Sequence, residues 1–200
     1  MASTTTSPAP PDLWLNDVWS AYFHDPADAS WTLDSYKRLG DVATVGDLWR
    51  TLLTVEPFVT SGMFFVMREH VFPCWDDKAN IEGGCVSIKV PARAATAAWE
   101  LMLKRAVGET LMADDGAWDA LNGISISPKR GFCIIKLWLR DLEAAAAGPR
   151  CFRAPPGYDG EVVVRSNSDN MQAFTAGTQR GAVHPPEGGG GAPRGPRAKP

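Results

Sequence analysis

The chain reads as an α+β domain in which an antiparallel sheet carries helices on one face. Three observations predict this. Short apolar runs that alternate or are rich in aromatic and branched residues recur between turn residues, close enough to be joined as hairpins. Two stretches, 44–53 and 92–107, have helical spacing instead. Two hundred residues, 44% of them apolar, suffice for one domain with a core plus tails. With helices on one face, the other face of the sheet is left free to bind.

Residues 1–11 are mostly Ser, Thr and Pro, which bury too little surface to order themselves, so a flexible arm is expected there. From Leu13 to Phe23, Trp14, Val18, Trp19, Tyr22 and Phe23 make a first strand. Turn residues follow from His24 to Ser30, and a second strand is expected from Trp31 through Leu33. Thr44 stands three residues before Asp47, a capping pattern, ahead of apolar Val45, Leu48, Trp49 and Leu52. Strands are expected at Met63 to Met67 and at Val86 to Val90, and the strongest helix spans Ala92 to Val107 with Gly108 as its stop. Ile124 and Ile126 alternate with serines, Ser127 to Gly131 turns the chain, and Phe132 to Arg140 returns with Trp138. Leu142 to Ala147 reads as a short helix and Glu161 to Arg165 as a last strand. The ordered domain is therefore expected over 12–176, with a Gly, Pro and Arg tail over 177–200.

A formal charge of −3 and a pI near 5.6 exclude a broad basic surface, so any nucleic-acid contact must be local. Cys74, Cys85, Cys133 and Cys151 form no CxxC pair and have no nearby His, which argues against zinc and for reduced thiols. No metal or cofactor is expected. Without a leader-like N-terminus or eighteen consecutive apolar residues, the expectation is a soluble intracellular protein with no membrane contact.

Chemistry concentrates in Phe72-Pro73-Cys74-Trp75-Asp76-Asp77 and the following residues to Gly83-Gly84, a long loop between two strands. An indole in such a loop needs something to cover it, and a neighbouring carboxylate accepts two hydrogen bonds from a flat donor edge. The alternative is a Trp folded back onto the core with its acids in water. Trp31 repeats the circumstance at another loop edge, and Lys129 and Arg130 sit on a hairpin tip. Together these are the parts of a purine nucleotide site: rings above and below the base, a carboxylate for its N–H edge, cations for its phosphates. Stacking contributes about 1 to 3 kcal/mol per base. A positively charged base would add a cation–π attraction of about 1 to 2 kcal/mol, favouring a methylated guanine. Catalysis has less support, because His24, His70 and His184 stand in no nucleophilic arrangement and the pairs Asp76-Asp77 and Asp114-Asp115 lack a second contributor.

Five stretches in this order resemble the translation initiation factor 4E family of messenger-RNA 5′ cap-binding proteins. They are Trp31 with its following strand, Thr44-Val45-Gly46-Asp47-Leu48-Trp49, the Trp75 loop, the helix from Trp99 to Val107 closed by Gly108-Glu109, and Trp138 in a late strand. The likeness runs from about Trp14 to Ser168. It implies a curved antiparallel sheet with helices on the convex face and a ligand slot on the concave face. Trp31 and Trp75 would sandwich 7-methylguanine, Asp76 would take the guanine edge where the family has a glutamate, and Trp138 would lie by the N7-methyl group. Asp places its carboxylate about 1.5 Å further back than Glu. Cys85 stands where the family has a phosphate-binding arginine, leaving Lys129 and Arg130 as phosphate candidates, against the alternative of a solvated tip.

On the convex face, Val45 and Trp49 match positions that receive a helical peptide of the scaffold factor 4G or of repressors, while Glu100 and Lys104 replace exposed leucines. The alternative for Trp49 is a core residue of its helix. The resemblance thus implies a non-enzymatic cap-binding protein of translation or its regulation, monomeric within a complex, cytoplasmic with the nucleus left open. Two rivals remain: an interaction module that keeps the fold and binds cap weakly, and a metal-dependent nucleotide enzyme using Asp76 and Asp77.

Overall fold

The computed structural model describes residues 12–181, so the expected arm (1–11) and residues 182–200 of the expected tail lie outside the described residues. Among the described residues there are seven strands: β1 Trp14–His24, β2 Tyr36–Thr44, β3 Met63–Arg68, β4 Gly84–Pro91, β5 Leu121–Lys129, β6 Phe132–Leu139 and β7 Val162–Ser166. They form one sheet in the order β2-β1-β3-β5-β6-β4-β7, with every neighbouring pair antiparallel. The described residues also form the α-helices α1 Val45–Val55, α2 Ala92–Val107 and α3 Asn167–Gly181.

Alternation along the strands sorts the sheet into two faces. Val86, Ile88 and Val90 of β4, Ile124 and Ile126 of β5, and Cys133, Ile135 and Leu137 of β6 pack against Leu48 and Leu52 of α1 and Trp99, Met102 and Leu103 of α2. This is the main core, on the convex side. Tyr22, Phe65, Met67, Val71, Cys85 and Trp138 form a smaller cluster on the concave side, bordered by Tyr36, Met63, Phe72 and Trp75. Arg68 fastens the end of β3: its Nε donates to Leu121 O at 2.7 Å, its Nη2 to Trp118 O at 3.1 Å, and Asp17 pairs with its charge.

The capping pattern at Thr44 is realised in full. Thr44 Oγ1 accepts from Asp47 N, and Asp47 Oδ2 accepts from Thr44 N, both at 3.1 Å. Gly108 does end α2, yet with φ −90°; the left-handed residue is Glu109 at φ 57°.

Four expectations need correction. The second strand begins at Tyr36 rather than Trp31, because Leu33–Ser35 form a 3₁₀ turn. The turn at 127–131 is tighter, since β5 runs on to pair Lys129 with Phe132 and leaves Arg130 and Gly131 between the strands. The stretch 142–147 holds only the 3₁₀ turn Glu143–Ala145. The domain boundary at 176 falls inside α3, which continues to Gly181 and contacts β4 and β7. Its Met171 and Phe174 line a cavity on the concave side, so not every helix belongs to the convex layer.

Candidate functional site

The concave face can be laid out in rows from the strand register. Gly123, Trp138, Cys85 and Arg165 lie side by side, then Ser125, Lys136, Ser87 and Val163, then Ser127, Ile134 and Lys89. Over this floor lies a cavity of about 320 Å³ whose walls include Trp31, Tyr36, Trp75, Asp76, Lys136 and Trp138, with Met171, Phe174 and Thr175 of α3. Four residues that the sequence assigns to the base, Trp31, Trp75, Asp76 and Trp138, are therefore brought to one cavity.

Trp31 precedes its 3₁₀ turn and stays 42% exposed. One face of its indole is stacked on His24, with centroids 4.1 Å apart and planes 7° from parallel. His24 is itself fixed, since its Nε2 hydrogen-bonds Ser30 O at 2.9 Å, which makes Nε2 the protonated nitrogen. Phe174 reaches both tryptophans edge-on, 6.4 Å from Trp31 at 83° and 5.9 Å from Trp75 at 67°. Trp138 is buried beneath, its Nε1 donating to Ser125 Oγ at 2.9 Å.

The Trp75 loop is held by amides. Asn80, fully buried, donates from Nδ2 to Phe72 O at 3.0 Å and Cys74 O at 2.8 Å, and accepts from Asn122 Nδ2 at 3.0 Å. Asn167, at the start of α3, donates to Asn80 O at 2.7 Å and accepts from Cys85 Sγ at 3.3 Å. None of these asparagines stood out in sequence, because a lone Asn between strands reads as a turn residue. They also give Cys85 a place: a buried thiol at an amide. Gly83 is where β4, β6 and the loop close up, and a Cβ there would lie 1.9 Å from Leu139 O.

The two acids of the loop do different work. Asp77 accepts from Phe72 N at 3.3 Å and Ala79 N at 2.8 Å, so it shapes the loop. Asp76 faces the cavity beside Cys74, whose thiol is pushed up to about 12 by burial first and then by its hydrogen bond to Asp76 and that carboxylate's charge. Among the described residues no three His, Cys, Asp or Glu side chains converge as a metal site. Lys129 and Arg130 are exposed on the hairpin and do not line the cavity. Among the described residues the cation that does is Lys136, with its Nζ 5.5 Å from the Trp75 ring centroid. Sequence reading passed over it because a lone lysine in an otherwise apolar strand carries no sign of the loop tryptophan that comes to lie beside it.

A family model described as Eukaryotic initiation factor 4E matches residues 14–150. The chain belongs to this family. Eukaryotic translation initiation factor 4E of Saccharomyces cerevisiae is 28% identical over 134 residues, covering 63% of this chain and 61% of the yeast protein. The chain thus spans about three fifths of the length of that curated relative. Among solved structures, the complex of C. elegans eIF4E-3 with the 4E-binding protein Mextli and cap analog superimposes with a TM-score of 0.69 at 18% identity, covering 81% of this chain and 96% of that one. A schistosome eIF4E complexed with m7GpppA and 4E-BP gives a TM-score of 0.66, also at 18% identity, covering 80% and 91%. Likeness at that identity shows the fold, a curved sheet with helices, which this member of the 4E family shares.

On the convex side of this 4E-family fold, Trp49 is exposed rather than packed into its helix, and Leu53 beside it is exposed too. A shallow hollow of about 50 Å³ lies between α1 and α2, with Trp49, Leu52, Leu53, Trp99 and Glu100 among its walls. Lys104 crosses its rim. Its Nζ lies 5.3 Å from the Trp49 ring centroid and 2.8 Å from Glu100 Oε1. Val45 opens α1 and is half-buried.

Proposed function

We propose that the slot binds the 7-methylguanosine 5′ cap of messenger RNA and that the protein acts in translation initiation or its regulation, without catalysis. The observation that carries this is the convergence of Trp31, Trp75, Asp76 and Trp138 on one cavity of about 320 Å³. The base stacks between Trp31 and Trp75, at about 1 to 3 kcal/mol per ring. The carboxylate of Asp76 accepts from the guanine N1–H and N2–H edge, and Trp138 lies beneath the N7-methyl group. A methylated guanine is cationic, so the two indoles hold it better than guanine by about 1 to 2 kcal/mol when water is excluded. The cap analogues present in the nematode and schistosome structures support the reading.

Support for a partner comes from the convex side, where Val45, Trp49 and Leu53 offer an apolar stripe to a helical peptide of a scaffold 4G type or of a repressor. Both of those structures include a 4E-binding protein. The Glu100 and Lys104 pair on the rim selects for a peptide with its own charges and against an all-leucine one. Such a role places the protein in the cytoplasm.

The test is a titration of intrinsic tryptophan fluorescence with 7-methyl-GTP and with GTP. Preferential quenching by the methylated nucleotide supports the reading. Equal responses, or none, would contradict it.

A further inference from the structure

The helix α3 is fastened firmly at its first turn. Asn167, which opens it, is fully buried: its backbone N–H donates to Gly83 O at 2.9 Å, its Nδ2 to Asn80 O at 2.7 Å, and its Oδ1 accepts from Cys85 Sγ at 3.3 Å. Ser166 Oγ accepts from Asp169 N at 3.0 Å, so the turn is capped as well. Further along, residues 172–175 are exposed, and Met171, Phe174 and Thr175 line the slot. Gly, Thr, Asn and Ser, all poor helix formers, recur through its 15 residues, and a helix of that length and composition does not persist alone in water. What the slot offers to Met171 and Phe174 therefore decides whether the body of α3 stays helical.

Phe174 stands at the gap between the two indoles. Its ring centroid lies 6.4 Å from that of Trp31 and 5.9 Å from that of Trp75, steeply inclined to both, at 83° and 67°. A flat base stacked between two indoles is in van der Waals contact with each, at about 3.5 Å, which leaves no space for a third ring between them. His24 already covers the other face of Trp31, so a base has no second side of that indole to use.

We propose that α3 is a self-inhibitory plug: while its body is helical, Phe174 keeps a base from stacking on both tryptophans, and the base enters as the helix uncoils beyond its first turn. The pinned residues Asn167 to Asp169 are the hinge. Asn167 is tied to the Trp75 loop through Asn80 O, so the loop stays in place when the plug leaves. The affinity measured for a base is then its affinity for the open form, reduced by the fraction of molecules that are open. The identity of the base rests on the cap-binding reading, whereas the occlusion of the slot by α3 does not.

Two substitutions in the full chain test the coupling through helix stability alone. Ala173→Gly, at an exposed position that does not line the cavity, weakens α3, and Gly177→Ala strengthens it. The first is expected to bind 7-methyl-GTP about three- to fivefold more tightly and the second more weakly by a similar factor. Hydrogen exchange of the wild type gives a matching sign: with 7-methyl-GTP bound, amides of residues 170–175 are expected to exchange faster, by about tenfold or more, while those of the Trp75 loop slow. Acrylamide quenching of tryptophan fluorescence, with no nucleotide added, is the arm independent of the cap. It is expected to increase in Ala173→Gly and to decrease in Gly177→Ala. Weaker or unchanged binding by Ala173→Gly, or slower exchange of residues 170–175 with 7-methyl-GTP bound, would make α3 a wall of the bound slot and overturn the proposal. Quenching that follows helix stability, with no variant responding to 7-methyl-GTP, would sink the cap reading and leave the plug standing.

Discussion

Trp31 lies flat against His24, 4.1 Å away and 7° from parallel, so only one face of this indole is open to a ligand. The arrangement fixes which side of Trp31 a base can use and makes His24 the backing of the slot. His24→Ala removes an aromatic pair of about 0.5 to 1.5 kcal/mol. The variant is expected to bind 7-methyl-GTP about two- to tenfold more weakly as Trp31 gains freedom. Unchanged affinity in equilibrium titration would show that the stack has no part in holding the ring.

Phe174 of α3 touches both slot tryptophans edge-on. A base entering between them must displace these contacts, each of about 0.5 to 1.5 kcal/mol. Phe174→Ala is therefore expected to bind 7-methyl-GTP more tightly, by about three- to tenfold, with faster association in stopped-flow fluorescence. Weaker binding would instead make Phe174 a wall of the bound state.

Asn80 is fully buried and its side chain makes three hydrogen bonds across the Trp75 loop. Asn80→Ala strands two backbone carbonyls and Asn122, and is expected to cost about 2 to 4 kcal/mol in urea unfolding. Gly83→Ala places a methyl 1.9 Å from Leu139 O and is expected to cost about 3 kcal/mol or more. A stability loss under about 1 kcal/mol in both variants would mean the loop is not pinned as described.

The thiols carry a pH signature. Burial raises all four cysteines above the ordinary value, Cys74 to about 12 and Cys85 to about 11. In the folded protein they stay protonated where the unfolded chain has already lost those protons. Folding stability should therefore hold below pH 9 and fall as pH rises from 9 toward 12. Thermal melts across that range, and slow reaction with a thiol reagent at pH 8 that becomes fast on denaturation, check this.

How much was legible in the sequence differs by residue. Thr44 and Asp47 announced α1 because a capping box is local chemistry, and the strand pattern gave both faces of β4 and β5 because alternation has a fixed period. Trp31, Trp75, Asp76 and Trp138 could be grouped because their order and spacing resembled a known family. Lys136 could not, since what sets it apart is its place in the cavity by the Trp75 ring, and that depends on how the strands and the loop come together. The helix α3 was missed because Met171 and Phe174 are its few large apolar residues, set among Gly, Thr and Asn, which are poor helix formers. Its stabilisation comes from what it packs against, the same slot whose tryptophans it covers.

The most direct test of the central claim is the titration of Trp31→Ala and Trp75→Ala with 7-methyl-GTP, beside the wild type, with far-UV circular dichroism confirming the fold. Each substitution removes one stacking surface of about 1 to 3 kcal/mol, so each variant is expected to bind about ten- to a hundredfold more weakly with its spectrum unchanged. A folded variant of either that binds as the wild type does would contradict the sandwich between Trp31 and Trp75.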